Sequence, residues 1–226
     1  MDITAKKRTA VIAGATGLVG GILLDWLLAS EEYEQVIALV RKPLAMEHPK
    51  LTPVNLDFNL LGSLSVVRAD DVFCCLGTTI KKAKTREAFR TVDYEYPVKL
   101  ADVAARAGAK RFLVISSMGA NPRSLFFYNR VKGDMENKLK EAGLPQLYIF
   151  RPSLLLGERS ESRPGEELGA KWAKRLLPLM VGPLAKYRPI EATQVAYAMY
   201  RTAVSDDSGE SRLPAVLESD AIASVR

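Results

Sequence analysis

Seven short apolar runs recur along the chain: TAVIA at 9–13, QVIALV at 35–40, PVNLD at 53–57, DVFCCL at 71–76, RFLVIS at 111–116, QLYIFR at 146–151 and LPAVLE at 213–218. Hydrophobicity within them is near-continuous rather than alternating, which predicts strands covered on both faces, as in a parallel sheet. Between the runs the apolar residues adopt helical spacing. Residues 18–30 place Leu18, Ile22, Leu23, Trp26 and Leu27 on one stripe, and 92–107, 128–142 and 192–204 predict three further helices. Pro97 suits a first turn or a kink, and Gly108 and Gly143 are natural stops. Strands alternating with helices imply an α/β fold, a doubly wound parallel sheet with helices on both faces. The whole of 1–226 reads as one domain with a core at about 8–155. The remainder, about 156–226, reads as a small C-terminal, substrate-facing extension that opens with the irregular stretch GERSESRPGEELG.

Composition narrows the function classes. Apolar residues make up 48% and charged residues 26% of 226, which leaves no segment poor enough in hydrophobes to be disordered. The net charge of +6 is spread among acids, and the densest cluster, KKAKTR at 81–86, lacks interleaved aromatics. Nucleic acid is therefore not the expected partner, and an anionic small molecule uses the same excess. The N-terminus MDITAKKRTA has no secretory pattern, and no apolar run reaches the ~18 residues a membrane span needs. The expectation is a cytoplasmic protein without a span. Cys74 and Cys75 are adjacent, which cannot readily close a disulfide and suits a reducing compartment. With one histidine, His48, in a polar loop and no Cys/His spacing, no metal site is expected.

The chemistry begins at AVIAGATGLVGG, residues 10–21. A strand turns at GATG and continues as an amphipathic helix, the context of a dinucleotide-binding, Rossmann-type fingerprint. The spacing is Gly14-x-x-Gly17-x-x-Gly20, shifted from the usual pattern. Gly14 suits the tight turn, Gly17 a close backbone approach to a pyrophosphate, and Gly20 close packing of helix on strand. Phosphate oxygens then accept from free N–H groups at the helix start. At the end of the second strand, where an NAD-preferring site holds an acid, the chain has Arg41 and Lys42. Two cations suit a 2′-phosphate and point to NADP(H); the alternative is a solvated strand end.

The fifth run ends in Ser116-Ser117, eleven residues after Ser117 comes Tyr128, and Lys132 follows at i+4. On a helix those two side chains share a face, and a cation beside a phenol favours loss of its proton. Tyr-x-x-x-Lys alone is a weak signal. Behind a Ser-tipped strand and a glycine fingerprint, it resembles the short-chain dehydrogenase/reductase superfamily. FCCLGTT at 73–79, the Arg41-Lys42 pair, VDYEYPVKLADVA and ESRPGEEL at 161–168 are similar to the Tat-interacting-protein family of small NADPH-binding oxidoreductases, an atypical branch.

That resemblance implies a cofactor site lined by Gly14, Thr16, Gly17, Leu18 and Val19 at the pyrophosphate, Arg41 and Lys42 at the 2′-phosphate and Asp57 near the adenine. Leu76, Gly77 and Thr78 would run along the cofactor backbone, and Arg151, Pro152, Ser153 and Leu154 beside the nicotinamide. Tyr128 carries over as proton donor, Lys132 as its ribose-binding partner and Ser117 as the group holding the substrate oxygen, with Ser116 the alternative. Where many relatives hold a water-relaying Asn, the chain has Asp93, so the proton relay is expected to differ. The implied activity is NADPH-dependent reduction of a carbonyl or the reverse oxidation, on a small and, from the apolar residues Trp172 to Met180, hydrophobic substrate. The rival is an NADP(H)-binding regulatory or scaffold protein with protein partners and little turnover. Cys74 and Cys75 read as small core hydrophobes rather than redox groups. Trp172 and Tyr187 either line a pocket or pack the C-terminal helices, and monomer and dimer both stay open.

Overall fold

In strand β1 (Arg8–Ala13), burial alternates between two cores: Ala10 and Ile12 pack on one side of the sheet, Val11 and Ala13 on the other. Both sides are apolar because both are covered, the reason the run is continuously hydrophobic. The computed structural model describes residues 7–65, 68–157, 182–205 and 215–225. After β1 come α1 (Leu18–Ala29), β2 (Tyr33–Val40), β3 (Leu51–Asn55), a 3-10 turn (Phe58–Ser63) and β4 (Asp71–Cys74). A helical run then passes through α2 (Ile80–Ala83), α3 (Arg86–Arg90), a π-helical turn (Thr91–Glu95) and α4 (Tyr96–Arg106). β5 (Arg111–Ile115), α5 (Phe127–Lys140), β6 (Gln146–Arg151) and a short β7 (Leu155–Leu156) follow. The chain closes with a second 3-10 turn (Gly182–Tyr187), β8 (Ile190–Glu191), α6 (Ala192–Val204), β9 (Ala215–Glu218) and α7 (Ser219–Ser224).

Seven of these strands form one parallel sheet in the order β3-β2-β1-β4-β5-β6-β9. Chain order reverses between β1 and β4, the crevice where α/β sheets of this kind bind ligands. Leu23 and Leu27 of α1 and Val195 and Met199 of α6 fill one core with Ile222 of α7. Leu100 and Ala104 of α4 fill the other with Met135 and Leu139 of α5. The predicted doubly wound fold is what the chain adopts.

The patterns at 146–151 and 192–204 coincide with β6 and α6, while β4 ends two residues earlier than its apolar run. The helix expected at 92–107 differs most. Helical backbone begins at Arg86 and passes through the π turn before α4, where Pro97 sits in the first turn and is buried. Of the last predicted strand, 215–218 is observed and 213–214 lies outside the described residues, as do ESRPGEEL and Trp172.

The β1–α1 turn is the tightest approach in the fold. Gly14 has φ +90°, and a Cβ there would lie 2.5 Å from the Cys75 carbonyl oxygen. A Cβ on Gly20 would lie 2.1 Å from the Gly14 carbonyl oxygen and 3.1 Å from the Cys75 Cβ. Both positions therefore need glycine for α1 to seat against β1 and the end of β4. Gly20→Ala is expected to cost about 1–3 kcal/mol through overpacking, read as a lower urea midpoint; an unchanged midpoint would contradict this packing.

Candidate active site

Phosphate-binding features meet at the start of α1. Its N-cap is Gly17, which offers no side chain, and no acidic residue occupies the first turn. The first N–H groups thus lie at the positive end of the helix dipole with no capping side chain competing for them. Val19 is buried, whereas Thr16 and Gly17 are exposed and Leu18 is half-buried. A Cβ on Gly17 would meet the Gly14 carbonyl oxygen at 3.2 Å and nothing else within 4 Å. This cradle fits a dinucleotide's phosphates.

Arg41 and Lys42 lie exposed just past β2. Neither makes an ion pair or hydrogen bond among the described residues, so both cations are available to an anion there. Asp57 caps the first 3-10 turn, its Oδ1 accepting from the Asn59 N–H at 2.9 Å. Arg41 and Asp57 both act electrostatically on Tyr96, whose phenol is raised by burial, then by Asp57, and lowered by Arg41. The expected 2′-phosphate and adenine positions are therefore neighbours in space.

At the nicotinamide end, Lys132 is 3% exposed and its ammonium lies 2.8 Å from Asp93 Oδ1. Asp93 is wholly buried in the π-helical turn, and its Oδ2 accepts from the Thr78 N–H at 2.9 Å. Lys132 Nζ also approaches the Ile115 carbonyl at 3.5 Å, at the end of β5. Gly77 sits over this pair: a Cβ there would be 3.5 Å from Asp93 Oδ1 and 4.0 Å from Lys132 Nζ. Burial favours a neutral amine, but the Asp93 carboxylate and then the Tyr128 phenol outweigh it and hold the Lys132 ammonium above the ordinary lysine range. Tyr128, in the first turn of α5, packs against Phe89 with ring centroids 5.4 Å apart and the rings tilted by 46°. The structure thus gathers Gly77, Thr78, Asp93, Tyr128 and Lys132 at one sheet edge.

The two serines separate by partner. Ser116 Oγ donates to Glu136 Oε1 at 2.5 Å. Ser117 Oγ is buried and has no hydrogen-bond partner among the described residues, an orphan that a substrate oxygen would satisfy. Ser116 instead joins a structural network. Glu136 takes the Arg151 guanidinium at 2.5 and 2.9 Å, and Arg151 also pairs with Glu218 at 2.9 Å.

That network changes the reading of the β6 segment. The Arg151 guanidinium is spent on Glu136 and Glu218, and the Ser153 hydroxyl donates to the Arg188 carbonyl beside Ser219. Their side chains fasten β6 to α5, β9 and α7, and Pro152 accepts from the Met118 N–H at 3.0 Å through its carbonyl. Leu154 is 40% exposed and free to line a site. Glu136, which the sequence reading missed, carries a signal only in its place one turn after Lys132 on the buried face of α5.

The remaining expectations are structural. Cys74 lies wholly in the core and burial pushes its thiol up to about 12, far from a reactive thiolate. His48 Nδ1 accepts from the Lys50 N–H at 3.1 Å. Tyr187 is half-exposed with Lys186 over its ring.

A family profile described as NAD(P)H-binding matches residues 14–169. The protein HTATIP2 of Rattus norvegicus is 36% identical over 98% of this chain and 90% of its own length. The mitochondrial protein FMP52 of Lodderomyces elongisporus is 31% identical, covering 91% of each. Among solved structures, human epimerase family protein SDR39U1 with NADPH superposes with a TM-score of 0.61 at 16% identity, over 92% of this chain and 72% of that one. The cytoplasmic location expected from the N-terminus is corrected by these relatives: several fungal ones are named mitochondrial. No described helix is long and apolar enough to cross a membrane.

The Asp93–Lys132 pair gives a measurable pH dependence. Because Lys132 is raised on folding, its contribution is present below the unfolded lysine range and is lost as pH climbs through the raised value. Lys132→Met strands a buried carboxylate and is expected to cost about 3–5 kcal/mol at neutral pH. Urea unfolding of both proteins should show that gap hold through neutrality and narrow above pH ~10; a gap that is absent, or widens with alkali, would contradict the pairing.

Proposed function

The chain belongs to the NAD(P)H-binding, atypical short-chain dehydrogenase/reductase family that includes HTATIP2 and FMP52, and from that premise we propose an NADPH-dependent oxidoreductase acting on a carbonyl–alcohol pair. The observation that supports this reading is a buried Lys132 cation beside Gly77 that feels the Tyr128 phenol, together with a Ser117 hydroxyl, two residues past the end of β5, that has no partner among the described residues. Nucleotide binding alone requires no such trio.

When bound, the reduced nicotinamide supplies the hydride. Leu18 and Val19 N–H groups would hold phosphate at the start of α1, and Arg41 and Lys42 would select for a 2′-phosphate over a free ribose hydroxyl. Ser117 donates to the substrate's carbonyl oxygen and orients it. Tyr128 then delivers its phenolic proton to that oxygen as negative charge builds there. Lys132 keeps a positive charge beside the phenol, so the phenolate left behind is stabilised. Asp93, anchored by the Thr78 N–H, fixes where that ammonium sits. Asp93 has no proton to relay while it is ionised, so reprotonation of Tyr128 runs through Lys132 or solvent.

A panel of aldehydes, ketones and quinones should contain one that oxidises NADPH, and Tyr128→Phe should lose about 10²–10⁴ in that rate with NADPH affinity kept. Equal rates in the two proteins would remove Tyr128 as the acid. NADPH that binds tightly and is oxidised by no member of the panel would favour the regulatory reading instead. Arg41→Ala with Lys42→Ala is expected to weaken NADPH at least about tenfold and leave NADH within about twofold, measured by fluorescence titration; parallel losses for both would contradict 2′-phosphate selection.

A further inference from the structure

The loops after β4 and β5 carry a second surface that the proposed reaction does not use. Residues 80–86 present Ile80, 45% exposed, among Lys81, Lys82, Lys84 and Arg86, all exposed. Residues 123–126 present Leu125 at 95% and Phe126 at 74% exposure beside the exposed Arg123. Ring contacts join the two segments into one face. Phe127 lies 5.7 Å from Phe89 of α3, and the Arg86 guanidinium stands 5.2 Å over the Phe127 ring.

The projection is held in shape. Arg123 N–H donates to Asn121 Oδ1 at 2.8 Å, Phe126 N–H to Ser124 Oγ at 3.1 Å, and Arg130 to the Ser124 carbonyl at 2.8 Å. Two consecutive large apolar side chains are thus fixed pointing into water, which isolated surface hydrophobes do not require. Charge decides what covers them. Lys81, Lys84, Arg86 and Arg123 are exposed in these two segments with Glu87 the exposed acid beside them among the described residues, while Asp134 is paired with Arg90 at 3.5 Å.

We propose that this face docks the protein on an anionic phospholipid surface, with Leu125 and Phe126 entering the boundary between headgroups and acyl chains and Lys81, Lys84, Arg86 and Arg123 facing the phosphates. Shallow apolar insertion combined with a basic ring is the two-signal arrangement that holds a peripheral protein at a charged bilayer. It needs no spanning helix, and none of the described helices could span. Docking does not depend on the proposed reaction. If both hold, the site at Tyr128, two residues beyond Phe126, lies close to the bilayer, where apolar carbonyl compounds concentrate.

The test is co-sedimentation of the full chain with phosphatidylcholine vesicles, with and without about 30% phosphatidylglycerol, at low and high salt. Binding is expected only with the anionic lipid and should fall as salt rises. Leu125→Ser with Phe126→Ser, and separately Lys81→Glu with Lys84→Glu, should each weaken it at least about tenfold at an unchanged melting temperature, since these side chains are exposed. No binding to anionic vesicles, equal binding to neutral ones, or binding that both variants keep would overturn the proposal. Self-association abolished by Leu125→Ser with Phe126→Ser, without vesicle binding, would assign the face to a second copy of the chain and equally overturn it.

Discussion

A single buried ion pair ties together the parts of this site that come from distant sequence. Lys132 on α5 and Asp93 on the π-helical turn meet at 2.8 Å beneath Gly77, with the Thr78 N–H holding the other carboxylate oxygen. Neither charge could be kept in so dry a place alone, because desolvation would drive one or both to their neutral forms. The pair therefore fixes three things at once: where the loop after β4 runs, how the helix preceding α4 bends, and which way α5 presents Tyr128. Asp93 sits within the π-helical turn and is wholly buried there. Such bulges concentrate at functional sites.

Around that pair, the structure divides labour between glycine and charge. At the β1–α1 turn, missing side chains at Gly14 and Gly20 let a helix start close to the sheet, leaving its first amides open toward the crevice at the β1–β4 reversal. At the opposite side, Ser116, Glu136, Arg151 and Glu218 lock β5, α5, β6 and β9 to one another. This network keeps the strand end bearing Ser117 in register with the helix bearing Tyr128. Ser117 itself is left without a hydrogen-bond partner among the described residues.

Most of the fold was legible because two-sided burial leaves continuous apolar runs, and β6 and α6 fall on the residues the pattern names. The helical run from 80 to 95 was not. Its short turns carry little apolar period, yet Thr79 and Thr85 each accept from an N–H three residues on, and those capping threonines are the signal that could have found it. Tyr128 and Lys132 were readable because i and i+4 spacing is local. Asp93 was noticed as a departure from its relatives, but its pairing with Lys132, 39 residues away, is a tertiary contact that no spacing rule encodes. Arg151 was read toward a cofactor for the same reason, since its true partners lie 15 and 67 residues away in the chain. Which of two adjacent serines faces Glu136 depends on the exit of β5, which hydrophobic pattern leaves undetermined.

On the proposed function, a nicotinamide dinucleotide would bind across the carboxyl ends of β1 and β4, with the start of α1 holding its phosphates and the Asp93–Lys132 pair at its nicotinamide end. Amide hydrogen exchange with and without saturating NADPH tests this most directly. Slowed exchange is expected in peptides covering 14–20 and 76–79, with little change at the far ends of the strands. Saturating NADPH that leaves both peptides exchanging as before would contradict it.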